Sequence, residues 1–143
     1  MPHAYDARAD TLGFAHLSRD AQRRAVFIDR RFVERAQQSP PAPLTDLPLV
    51  ELRHERGPMH FIFHTAYCCS TLLTRALDIP GVSMGVKEPA VLVGFAQHWA
   101  NARQTPGALD AFGVTLDLLS RPLSPGETQI VKPSNVATHL IPE

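Results

Sequence analysis

The chain has 143 residues, 44% hydrophobic and 20% charged, with 14 basic against 14 acidic side chains and no formal net charge. That composition describes one ordinary soluble domain, long enough to bury about two-thirds of its unfolded surface without disulfides or metal. The missing charge surplus argues against nucleic acid and anionic membranes as partners, and the longest apolar run, Ala90 to Ala96 with Gly94 inside it, is too short to cross a bilayer.

In chain order, the N-terminus Met1-Pro2-His3-Ala4-Tyr5-Asp6 lacks a signal-peptide core, so a cytoplasmic protein is expected. Leu17, Ala21, Ala25, Ile28, Phe32 and Ala36 then recur at helical spacing and predict one amphipathic helix with Ser18 as its N-cap. Its other face interleaves Arg23, Arg24, Arg30, Arg31 and Arg35 with Asp20, Asp29 and Glu34, the pattern of a solvated surface. The stretch from Gln38 to Pro43 reads as a proline-rich linker. Residues 1–48 are therefore expected to be a helical segment and linker, and residues 49–143 an α/β domain.

Within that domain Leu49 to Leu52 predicts a short strand, and Met59 to His64 a buried strand with Phe61-Ile62-Phe63 at the centre of the sheet. A loop, Thr65 to Cys69, precedes a helix beginning at Ser70. Val82 to Val86 predicts a second strand, and Pro89 starts a helix through Val91, Phe95, Trp99 and Ala102. Thr105-Pro106 opens another helix, with Leu109, Phe112, Leu116 and Leu119 facing inward. Thr128 to Val131 predicts a third strand, and Ser134-Asn135 caps a last short helix. Alternating strands and helices imply a parallel sheet with flanking helices, an α/β fold. So few strands, with the sequence ending just after a strand and helix start, read as part of a larger fold that exposes an apolar sheet edge.

The chemistry-bearing residues collect at strand ends, where ligands bind in α/β sheets. Only two of the 14 basic residues are lysines, Lys87 and Lys132, and each ends an apolar run and is followed closely by a proline. A helix that starts after a buried strand offers backbone N–H groups and a positive dipole end to an anion. Here the donors would come from Cys69 to Leu72, although Ser70 and Thr71 are equally good N-caps with no ligand. The nucleotide-binding pattern G-x-x-x-x-G-K-[ST] is absent, which argues against an ordinary ATP or GTP hydrolase.

The segment Tyr67-Cys68-Cys69-Ser70-Thr71-Leu72-Leu73 resembles the phosphosulfate loop of the P-loop sulfotransferases, [KR]-S-G-[ST]-T followed by two apolar residues. Tyr67 stands at the basic position and Cys69 at the glycine. Glu88, in Val86-Lys87-Glu88-Pro89, occupies the place where many members of that family carry a proton-accepting glutamate, and Val131-Lys132-Pro133-Ser134 is similar to a later strand-end Lys-[ST]-Pro segment. The family's 3′-phosphate motif would come later than Glu143, so residues 1–143 alone are expected to be a poor enzyme.

The resemblance implies a P-loop NTPase-like sulfotransferase fold and transfer of a sulfuryl group from 3′-phosphoadenosine 5′-phosphosulfate to an acceptor hydroxyl or amine. It implies that Tyr67, Cys68, Cys69, Ser70, Thr71 and Leu72 form the donor loop, that Glu88 accepts the acceptor's proton, and that Lys87 or Lys132 neutralises the sulfuryl oxygens. The partners are then a small-molecule donor and an acceptor that the sequence does not identify. The alternative is a sulfotransferase-like remnant that binds an anion or a protein without catalysis. No metal is expected: His60 and His64 share a strand face near Cys68-Cys69, but adjacent cysteines seldom supply two ligands to one ion. A reactive thiolate in the loop competes with a buried, inert cysteine pair.

Overall fold

The computed structural model of the chain describes residues 1–101 and 106–140. Strands β1 (Pro2–Asp6) and β2 (Thr11–Ala15) pair antiparallel around a turn in which the Asp6 carboxylate accepts the N–H groups of Arg8 and Ala9 at 2.8 and 3.3 Å. Strand β3 (Gln38–Pro43) completes the sheet in the order β1-β2-β3. The proline-rich stretch is thus a strand and not a linker. Proline lacks the ladder N–H, and two features accommodate it: β3 lies at a sheet edge, and the register shifts between Leu12 and Phe14, past Pro40 and Pro41.

The helix expected from Leu17 to Ala36 is broken in two. Ser18 does cap α1 (Arg19–Arg24), accepting the Ala21 N–H at 3.1 Å, but Ala25 turns extended and Asp29 caps a second helix, α2 (Arg30–Val33), through the Phe32 N–H at 2.9 Å. Between them the backbone of Ile28 is taken by the stretch from Lys87 to Ala90: its N–H donates to the Lys87 carbonyl at 2.6 Å and its carbonyl accepts from Ala90 at 3.0 Å. The arginine face is solvated as read, with exposed pairs Arg24–Asp20 and Arg30–Glu34.

Leu49 to Leu52, expected as a strand, lies in helix α3 (Leu49–His54), whose first turn carries Glu51 and whose last carries Arg53 and His54, in accord with the helix dipole. An apolar run this short has no period that separates helix from strand.

Strands β4 (Met59–Phe61), β5 (Ser83–Lys87) and β6 (Thr128–Lys132) form a parallel sheet in the order β4-β6-β5. The parallel α/β arrangement is as read, but β6 and not the aromatic strand is central. β4 is an edge: Phe61 and Phe63 stack at 5.5 Å and remain 36% and 44% exposed, which overturns the buried central strand. Aromatic and β-branched content reports fitness for a pleated surface, and an edge provides one as well as a centre does. Helix α4 (Ser70–Ala76) lies against β5 and β6. Gly85 permits its approach, since a Cβ there would stand 2.7 Å from the Thr74 carbonyl oxygen.

Helices α5 (Ala90–Asn101) and α6 (Pro106–Leu119) join the two sheets, and a 3₁₀ segment, Asn135–Leu140, packs on α5. Phe95 of α5 stacks on Tyr5 of β1 at 5.0 Å and meets Phe112 of α6 edge-on at 5.3 Å. Leu119 is buried and Phe112 and Leu116 pack on the core, but Leu109, expected inward, is 45% exposed. The expected contributions of Ala102 and Thr105 fall outside the described residues. One buried cluster takes Leu12, Ile28 and Val33 together with Val86, Val91, Phe95 and Val131, so side chains on both sides of position 48 share a core. No helix among the described residues is long and apolar enough to cross a membrane.

Candidate active site

The carboxyl ends of β5 and β6 and the loop between β4 and α4 carry the residues singled out in the sequence. The loop has an unusual backbone: Tyr67 and Cys69 both adopt the left-handed conformation, with φ of 61° and 59°. Cys69 is the residue that precedes α4, and no side chain caps that helix. Ser70 and Thr71 lie inside its first turn, so neither serves as the N-cap that a ligand-free role would give them. Ser70 is buried, Thr71 half-buried and Leu72 exposed, and Tyr67 projects fully into solvent.

Cys68 and Cys69 are both exposed free thiols, which overturns the buried, inert pair. A hydrogen bond with the Ser70 side chain, and more weakly the charge of Lys132, hold the Cys68 thiol below the ordinary thiol range. The loop is tied to the central strand by His64, whose ring nitrogens lie 2.8 Å from the Thr65 carbonyl oxygen and 3.0 Å from that of Pro133.

At the strand ends, the Lys132 ammonium forms an ion pair with the Glu88 carboxylate. The Lys132 side chain is 1% exposed and that of Glu88 21%. Glu88 itself is left-handed, with φ of 52°, and its N–H donates to the Lys132 carbonyl at 2.6 Å. Left-handed backbone is costly outside glycine, and three of the four such residues in the described chain, Tyr67, Cys69 and Glu88, lie in these two segments.

Lys87 goes elsewhere. Fully buried, its ammonium donates to the Gln22 and Arg23 carbonyls at 3.0 Å each, closing the last turn of α1. Burial above all, with the charges of Arg75 and Arg23, lowers its pKa, against the opposing pull of Asp78. Of the two strand-end lysines, Lys132 is the one brought to Glu88.

Phe27 had no part in the sequence reading, yet its ring centroid lies 5.4 Å from the Lys132 nitrogen, within cation–π range. The signal for it was the unbroken run Val26-Phe27-Ile28, which one helical stripe does not accommodate. His64 likewise acts as a loop tether. Among the described residues no group of three His, Cys, Asp or Glu side chains is arranged to hold a metal ion. An apolar cavity of about 260 Å³, lined by Phe61, Phe63, Leu92, Phe112, Leu116 and Pro133 among others, opens beside the edge strand.

No family model, curated protein or solved structure matches the chain.

Proposed function

We propose that this chain is a sulfotransferase component, using 3′-phosphoadenosine 5′-phosphosulfate as donor and a hydroxyl or amine as acceptor. The observation that carries the reading is Cys69, which holds a left-handed backbone at the place where the phosphosulfate-loop pattern has glycine, the residue that adopts this conformation at no steric cost. The uncapped first turn of α4 suits an anionic group.

The donor supplies the sulfuryl group and departs as 3′-phosphoadenosine 5′-phosphate. Backbone N–H groups of Cys69, Ser70 and Thr71, with the Thr71 hydroxyl, hold its 5′-phosphosulfate. Glu88 takes the proton that the acceptor loses as it attacks sulfur, and Lys132, paired with Glu88 in the absence of substrate, turns its charge to the sulfuryl oxygens. Lys87 is committed to the carbonyls that end α1, which leaves Lys132 as the cation for the sulfuryl oxygens.

A second reading, anion or protein binding without transfer, draws on Tyr67, which replaces the pattern's basic residue and is fully exposed. Single-turnover assays with a panel of phenols and amines separate the two. Glu88→Gln should retain donor affinity and lose most transfer. Transfer unchanged in that variant removes Glu88 as the base, and its absence from the unaltered chain with every acceptor favours the binding protein.

A further inference from the structure

We propose that Cys68 and Cys69 are an oxidation site, closing a reversible vicinal disulfide when the protein meets a hydroperoxide. Three observations support it. The two thiols are adjacent in sequence, both are exposed, and neither is engaged in another covalent bond. A hydrogen bond with the Ser70 side chain, and more weakly the charge of Lys132, favour the Cys68 thiolate, the species that attacks a peroxide. The loop lies between the exposed Tyr67 and α4, and the exposure of both cysteines opens them to a small oxidant.

The Cys68 thiolate attacks one peroxide oxygen, the O–O bond breaks, and Cys68 becomes a sulfenic acid while hydroxide leaves. The Cys69 sulfur then attacks the Cys68 sulfur, the S–O bond breaks, and the Cys69 proton departs with the oxygen as water. Once the hydroxide takes a proton from solvent, the sulfurs have together lost two electrons and hydrogen peroxide has become two waters. The closed ring is strained, because neighbouring α-carbons stand about 3.8 Å apart across a trans peptide, inside the lower limit of about 4.4 Å for ordinary disulfides. A strained, exposed disulfide is readily reduced, which suits a switch and not a staple. Closing the ring constrains Cys69, the residue that sets the entry to α4. Formation of the bond does not depend on the sulfotransferase reading, because it needs no donor.

The test treats the folded chain with stoichiometric hydrogen peroxide and reads the tryptic peptide of residues 57–75, which contains both cysteines, by mass under non-reducing conditions. Loss of two hydrogen atoms in a monomeric protein, reversed by dithiothreitol, is the expected result. Cys69→Ser should instead stop at a sulfenic acid trapped by dimedone, and Cys68→Ser should react much more slowly. Stable oxygen addition on cysteine or intermolecular dimers in the unaltered protein, without the hydrogen loss, would overturn the disulfide. Equal sulfenic acid formation in both variants would overturn the assignment of Cys68 as the attacking thiol.

Discussion

Lys132 and Glu88 meet twice across the ends of neighbouring strands: ammonium against carboxylate, and the Glu88 N–H on the Lys132 carbonyl oxygen at 2.6 Å. The backbone bond accompanies the left-handed turn of Glu88, and that turn carries the carboxylate to the buried ammonium. Because Lys132 is almost wholly enclosed, it needs a countercharge whenever no ligand is bound. Replacing Glu88 by Gln should therefore cost about 1.5–3 kcal/mol in urea unfolding. The double variant with Lys132→Met should recover much of that loss, because no charge is then left buried. Additive effects of the two changes would show that the pair is uncoupled.

Cys69→Gly should stabilise the protein. A left-handed non-glycine residue costs about 1–2 kcal/mol, partly offset by the greater freedom of glycine in the unfolded chain. A net gain of up to about 1 kcal/mol is expected in denaturant titration. A loss would mean that the Cys69 side chain makes contacts worth more than the conformational strain.

The parallel sheet was legible because its strands are separated by helices of clear period, and its ends because lysine and proline punctuate Val86-Lys87-Glu88-Pro89 and Val131-Lys132-Pro133. Strand order was not legible, since nothing local in Phe61-Ile62-Phe63 distinguishes an edge from a centre. The N-terminal sheet was hidden by its own prolines, which a register shift tolerates only once β2 is in place. The break between α1 and α2 depends on Ile28 bonding to Lys87 and Ala90, partners about 60 residues away that helical periodicity does not report. For the same reason Lys87 looked equivalent to Lys132: both end strands, and only the tertiary fold sends one to the carbonyls of α1 and the other to Glu88.

Tyr5 provides a pH signature of β1, where its hydroxyl donates to Asp10 and its ring stacks on Phe95 of α5. Burial first, then the hydrogen bond to Asp10 and the charges of Asp10 and Asp6, push its phenol from 10.0 up to about 12. The folded state then keeps a proton that the unfolded chain has lost, so stability present below pH 10 should fall as pH rises toward 12. In a Tyr67→Phe background Tyr5 is the only tyrosine, and its tyrosinate absorbance should titrate near 12 in the folded protein. A midpoint near 10 would show that the phenol is not held as described.

Arg19 joins α1 to the opposite end of the parallel sheet, contacting Asp78 and Glu127 at 3.0 Å each and the Ser83 carbonyl at 3.1 Å. Both carboxylates are buried. Arg19→Ala should destabilise by about 3–5 kcal/mol, because it leaves two enclosed negative groups without their cation. Arg30→Ala, which removes an exposed pair with Glu34, should cost at most about 1 kcal/mol. Similar losses for the two variants would contradict the difference in environment.

The most direct measurement of the proposed site is calorimetric titration of 3′-phosphoadenosine 5′-phosphosulfate into the full chain and into Thr71→Ala. The Thr71 hydroxyl contributes one hydrogen bond to a charged group, about 1.5–3 kcal/mol, equivalent to roughly 10- to 150-fold in affinity. Saturable binding by the unaltered chain, weakened by that factor in Thr71→Ala, is the expected result. Absence of saturable binding, or equal affinity in the two proteins, would contradict a phosphosulfate cradle at the start of α4.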